Sequence, residues 1–275
     1  MAASLKNQFL LWLTLIAMGL AKTELTAANS DETLAPLKVF LLAGQSNMRG
    51  LGNPKDLPQV LQRKQPRVIL FQACQADNGL PAHVWIPLQP GSSFGPEIGF
   101  GSSITIGYPK QQIGLIKLGI DGTSIGSWSN TGYYKQLMDL IKECSKTRKI
   151  DITGVVWMQG ESDAMTQPLA DSYRKNLMTF IAKLRADCKK PALPFVFGRI
   201  TSSLPQNLFP YLQTVRTAQD TLKIERAIMV DTDDLPTYDD DVHFTAKGQL
   251  LLGHRFALAM FPTQSAPEKN HSTSK

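Results

Sequence analysis

Six short apolar runs recur along the chain, separated by segments of helical periodicity, and they restrict its fold class severely. They are Lys38–Ala43, Val68–Phe71, Ile113–Leu118, Ile152–Met158, Phe195–Phe197 and Ala227–Val230. Within each run apolar and polar residues do not alternate, as expected for strands covered on both faces. Between and after them, Pro96–Ile106, Tyr133–Cys144, Leu169–Cys188, Leu208–Leu222 and Thr245–Phe261 carry apolar residues at helical spacing, with Thr245 placed to cap the last. Alternating strands and helices with wholly apolar strands predict a three-layer α/β domain around a parallel sheet. Residues 50–66 and 74–94 are rich in Gly, Pro, Asn and Asp and are expected to be long loops. One domain is expected over residues 35–262, followed by a flexible tail at 263–275.

The N-terminus has the pattern of an address. Lys6 precedes an apolar run of 13 residues, Phe9–Ala21, shorter than the roughly 20 needed to span a bilayer. The run ends in Gly19-Leu20-Ala21, and Thr26-Ala27-Ala28 follows. Residues 1–28 are therefore expected to be a secretory signal peptide cleaved after Ala21 or Ala28, which implies a secreted or periplasmic protein. No later run is long enough to span a membrane.

Composition narrows the chemistry. The net charge of +6 comes from 29 basic and 23 acidic residues, and no Lys/Arg run exceeds two. A nucleic-acid groove calls for clustered basic residues, so no nucleic-acid partner is expected. The 3 Cys and 4 His form neither a CxxC nor an HExxH pattern, which argues against a zinc site. No metal or cofactor is expected.

In doubly wound folds, ligands collect at the C-terminal ends of the strands. Gly44-Gln45-Ser46-Asn47-Met48 follows the first strand, Gly119-Ile120-Asp121-Gly122-Thr123 the third, and Gln159-Gly160-Glu161-Ser162-Asp163 the fourth. Asp239, Asp240, Asp241 and His243 lie beyond the last. A serine hydroxyl needs an adjacent base to act as a nucleophile, and Ser46 and His243 are suited to those roles. If Asn47 opens a helix, the Ser46 N–H also points into the site as an oxyanion donor. The bland alternative for Ser46 is a helix cap. Asp240, three residues before His243, can hold the imidazole, with Asp239 and Asp241 as competitors. The side chain of Gln159 has an N–H₂ that can serve an oxyanion. His83 and His254 are read as structural.

These blocks resemble the SGNH hydrolases, and most closely the branch holding carbohydrate esterase family 6 acetylxylan esterases and sialate O-acetylesterases. Gly44–Met48 resembles the first block, Gly122-Thr123 the G-G-T block, Trp157–Asp163 the W-x-Q-G-E-x-D block and Asp240–Phe244 the D-x-x-H block. Their order and spacing agree over about residues 37–260. The resemblance implies a flavodoxin-like α/β/α fold and a serine esterase that removes acetyl groups from acetylated carbohydrates without a metal. Carried over by position, Ser46 is the nucleophile, His243 the base and Asp240 its partner. The oxyanion donors are the N–H groups of Ser46 and Gly122 and the side chain of Gln159. Two departures stand out: Gln159 occupies a position that is Asn in the wider group, and Asp121 replaces the first glycine of G-G-T, which leaves Gly119 as a rival to Gly122.

The alternatives are another carboxylesterase or lipase of the same fold, a metal-dependent phosphoesterase built on Asp231, Asp233, Asp234, Asp239, Asp240, Asp241 and His243, and an inactive glycan-binding protein. The flavodoxin-like order that the resemblance implies also sets the helices ending near Cys144 and Cys188 side by side. A disulfide between them is expected, with Cys74 left free, against the alternative of three unpaired thiols.

Overall fold

A computed structural model describes residues 35–73 and 78–265. The expected signal peptide, Cys74, His271 and most of the expected tail lie outside the described residues. Seven strands form one sheet: β1 (Leu37–Gly44), β2 (Gln65–Gln72), β3 (Ile86–Leu88), β4 (Ile113–Gly119), β5 (Ile150–Met158), β6 (Phe195–Gly198) and β7 (Ala227–Val230). Their order is β3-β2-β4-β1-β5-β6-β7, parallel throughout except for β3, which runs antiparallel to β2 at the edge. All six expected strands are present.

The flavodoxin-like core is β4-β1-β5-β6-β7, with β1 at the point where the winding reverses. The hairpin-like β2–β3 pair is added outside β4, so Val68–Phe71 is an outer strand of the sheet. Central strands β1 and β4 are buried along nearly their whole length, because helices cover both faces.

The helices are α1 (Ser46–Arg49), α2 (Glu97–Ile104), α3 (Ile125–Asn130), α4 (Tyr133–Thr147), α5 (Gln167–Asp187), α6 (Leu212–Asp220) and α7 (Ala246–Ser265). Among these, α2 and α7 pack against each other, and α3 packs between α4 and α5. Gly253 permits the first contact: a Cβ there would lie 2.1 Å from the Pro96 carbonyl oxygen. On α4, Tyr134, Leu137, Leu140 and Cys144 form the buried stripe at three- and four-residue spacing. Trp157 of β5 anchors the layer above it, meeting Trp128 of α3 at 4.9 Å and Phe180 of α5 at 4.5 Å between ring centroids. Thr245 caps α7 through its Oγ1, which accepts from the Gly248 N–H at 3.3 Å. That helix runs to Ser265 and so includes the first three residues of the expected tail. Among the described residues, no helix is long and apolar enough to cross a membrane.

The expected disulfide is absent, and Cys144 and Cys188 are both free. The offset of the two helices explains why. Tyr134, at the start of α4, donates its hydroxyl to Asp187, next to Cys188 at the end of α5, at 2.6 Å. Cys144 lies ten residues further along α4, an axial displacement of about 15 Å. A bridge needs Cα atoms within about 4.4–6.8 Å. The Cys144 thiol instead donates to the Ile141 carbonyl at 3.2 Å.

Candidate active site

At the C-terminal edge of the sheet, β1 ends on Gly44, whose amide plane lies so close to β5 that a Cβ would sit 2.0 Å from the Met158 carbonyl oxygen. The Gln45 N–H donates to that same oxygen at 2.9 Å, and the chain then turns at once into α1. The Gln45 carbonyl accepts from the N–H groups of Met48 and Arg49, both at 2.8 Å. This sharp strand-to-helix turn places Ser46 at the start of α1, where backbone N–H groups have no partner within the helix. Ser46 is 6% exposed.

His243 comes from the loop between β7 and α7. Its Nε2 lies 3.0 Å from Ser46 Oγ, and its Nδ1 lies 2.6 Å from Asp240 Oδ2. Asp240 Oδ1 accepts from the backbone N–H groups of Val242 and His243, each at 2.9 Å. One carboxylate thus folds the three-residue loop and orients the ring. Partial burial pulls the Asp240 carboxyl up, but the N–H groups and ring of His243 and the Val242 N–H together hold it below the usual carboxylate value. Asp239 and Asp241 are exposed. Asp241 has a φ of 55° and presents its carbonyl to the Ser203 hydroxyl at 3.2 Å. Among these three aspartates, Asp240 is the one that meets the imidazole.

The two glycines after β4 have different settings. Gly119 is buried in the ladder opposite Gly44, beneath α1, where a Cβ would be 2.5 Å from the Arg49 nitrogen. Gly122 is exposed on the rim, at a φ of 63°. Its loop is tied to β1, the strand that leads into Ser46, by Ile120 N–H donating to Gly44 O at 2.9 Å, and to α1 by the Arg49–Asp121 ion pair at 2.8 Å. Asp121, the departure from G-G-T, therefore has a partner on the helix that carries Ser46.

Gln159 directly follows β5. Its side chain is fully buried in the floor, and its Nε2 donates to the Thr123 carbonyl at 2.9 Å and to Asp163 Oδ2. Both amide hydrogens are engaged, so in this structure the side chain expected as an oxyanion donor braces the Gly122–Thr123 loop. Asp163 Oδ2 also accepts from the Ile125 N–H at 2.9 Å, at the start of α3. Burial pushes the Asp163 carboxyl up to about 6. Glu161, also buried, accepts from Asn47 at 2.8 Å, and its carboxyl is likewise raised by burial. Asn47, Glu161 and Asp163 lie within the sequence motifs, which give them no role. A carboxylate two residues from another at a strand end was the available signal.

His83 pairs with Glu143 at 2.7 Å, and His254 meets Ser103 on α2, so neither joins the site. Asp231 and Asp233 engage Arg199 at 2.8 and 2.9 Å, Asp233 also engages Arg216 at 2.8 Å, and Asp234 engages Arg255. Among the described residues, no three His, Cys, Asp or Glu side chains converge as metal ligands. These aspartates brace the loop after β7 through arginines and do not form a cluster with His243.

A family profile described as carbohydrate esterase, sialic acid-specific acetylesterase matches residues 36–262. A probable carbohydrate esterase from Arabidopsis thaliana is 30% identical over 243 residues, covering 82% of this chain and 91% of that one. The X-ray structure of that plant protein superposes with a TM-score of 0.70 at 26% identity, covering 82% of this chain and 98% of its own. Two further structures share the fold. A carbohydrate acetylesterase from Xanthomonas citri has a TM-score of 0.62 at 22% identity, over 81% of this chain and 55% of that one. NanS has a TM-score of 0.66 at 18% identity, over 82% and 97%.

Proposed function

The chain belongs to the carbohydrate esterases of the sialic acid-specific acetylesterase family, and from that membership we propose how its own residues carry out the hydrolysis and where. Ser46 Oγ attacks the acetyl carbonyl of an acetylated sugar while His243 Nε2 takes the hydroxyl proton. The imidazolium that forms is stabilised by Asp240, which also holds Nδ1 as the protonated nitrogen. The negative charge on the former carbonyl oxygen falls to the backbone N–H groups of Ser46 and Gly122. Collapse of the tetrahedral species breaks the bond to the sugar oxygen, which leaves with the proton from His243. Water, deprotonated by His243, then attacks the acetyl-enzyme and releases acetate.

The observation that carries this reading is the chain of contacts Ser46 Oγ to His243 Nε2 at 3.0 Å and His243 Nδ1 to Asp240 Oδ2 at 2.6 Å. Gly122 is preferred to Gly119 as donor because it lies on the open rim rather than inside the ladder. The short apolar N-terminal run supports action outside the cytoplasm, after removal of residues 1–28.

The test is acetate release from a panel of acetylated xylo-oligosaccharides and O-acetylated sialic acids, alongside long-chain acyl esters. Release from at least one acetylated sugar, unchanged after dialysis against EDTA, is the expected result. Preference for long-chain acyl esters would favour the lipase-like alternative, and loss of activity to EDTA would favour the metal-dependent one.

A further inference from the structure

The steps above give no work to Asn47, which follows the nucleophile on α1 and is 1% exposed. Its Nδ2 donates to the Val242 carbonyl at 2.9 Å, and its Oδ1 accepts from the Phe244 N–H at 3.0 Å. Those are the two backbone groups that flank His243. In an extended chain the carbonyl of one residue and the N–H two residues later point the same way, and a neighbouring strand pairs with both. A single carboxamide takes that neighbour's place here. Its second hydrogen goes to Glu161 Oε1 at 2.8 Å, and Glu161 is itself only 2% exposed. Turning the amide over would break all three contacts at once, because donor and acceptor would exchange places.

We propose that Asn47, aligned by Glu161, is a positioning residue for the esterase reaction: it holds the Val242–Phe244 backbone so that His243 Nε2 meets Ser46 Oγ. The inference rests on the Ser46–His243–Asp240 reading above. The nucleophile and its base are separated by almost the whole domain in sequence, and a side chain adjacent to the nucleophile fixes their separation in space. No proton passes through Asn47. Its contribution is geometric, and a misplacement of about 1 Å in a catalytic group can cost about 100-fold in rate.

Asn47→Asp keeps the acceptor for Phe244 and removes both donors, setting an oxygen against Val242 O and Glu161. The experiment measures kcat and KM on an activated acetyl ester for wild type, Asn47→Asp, His243→Ala, the Asn47→Asp/His243→Ala double variant and Ser46→Ala, with circular dichroism and thermal melts on each. Asn47→Asp is expected to lower kcat about 30- to 100-fold with KM within about threefold. In the His243→Ala background the same change is expected to cost no more than about twofold, since a residue acting through the base has nothing left to position. Equal losses in both backgrounds, or an unchanged kcat in the single variant, would overturn the proposal. Near-normal activity of Ser46→Ala or His243→Ala would instead overturn the triad reading on which it rests.

If Asn47→Asp does not fold, Glu161→Ala and Glu161→Gln carry the same cycle against His243→Ala. Glu161→Ala leaves an Asn47 hydrogen unpaired and is expected to lose about 10-fold or more in kcat, most of which Glu161→Gln restores by keeping an acceptor oxygen. Equal losses in the two Glu161 variants, or a Glu161→Ala loss that persists without His243, would count against it.

Discussion

Replacing Asp163 by asparagine is expected to make the protein relatively more stable as pH rises from about 4 to 7.5. Asp163 is fully buried, and its carboxyl is pushed from 3.8 to about 6. Burial is the main cause, only partly offset by hydrogen bonds from Gln159 and the Ile125 N–H. Between those two values the native state keeps a proton that the unfolded chain has released. Stability from the neutral acid is therefore fully present below 3.8 and is lost as pH rises through about 6. A difference of about two pH units corresponds to roughly 3 kcal/mol. Asparagine holds an acceptor in the place of Oδ2 and carries no charge, so it removes this term. Urea unfolding of both proteins across the range gives the difference directly, and the carboxylates that do not couple to Asp163 cancel in the comparison. A difference between variant and wild type that stays constant within about 0.5 kcal/mol would refute the reasoning.

Asp240→Asn is expected to lower kcat by about 10² to 10³, somewhat less than the roughly 10⁴ seen for the buried partner in the best-studied serine protease, because this carboxylate is 47% exposed. Asp239→Asn and Asp241→Asn are expected to stay within about threefold in a steady-state esterase assay, and equal losses at all three would contradict the assignment. Peptide mapping of unreduced protein is expected to recover free thiols at both Cys144 and Cys188. In the folded state both should react slowly with thiol reagents above neutral pH, since burial pushes Cys144 up to about 12 and Cys188 up to about 11. Recovery of a linked pair of peptides would show that the helix offset is wrong.

The strands were legible because both faces of the sheet are covered, which turns β1, β4 and β5 into unbroken apolar runs. The contact of Ser46, His243 and Asp240, which we propose as nucleophile, base and acid, was legible because each residue lies in a recognisable block beyond a strand end. What sequence missed has local causes. Strand β3 is three residues long, contains Pro87 and pairs only at the edge, so no periodicity marks it. Helix α3 is made of Gly and Ser beside Ile125 and Trp128, poor helix formers, and is held by the Ser124 cap and Asp163. Helix α6 starts at Leu212 rather than Leu208 because Pro210 disfavours the helical conformation at the preceding residue, Phe209. Gln159, Glu161 and Asp163 share one motif, but which of them faces the floor depends on the turn after β5. The cysteine expectation failed on axial offset, a quantity that helix adjacency does not contain.

The central claim is that acetyl passes through Ser46. Rapid quenching of the enzyme with an activated acetyl ester, followed by peptide mass spectrometry, measures this directly. One acetyl group per chain on the peptide containing Ser46, formed in a burst and absent from Ser46→Ala, is the predicted result. Full turnover with no covalent adduct, or an adduct on another residue, would contradict it.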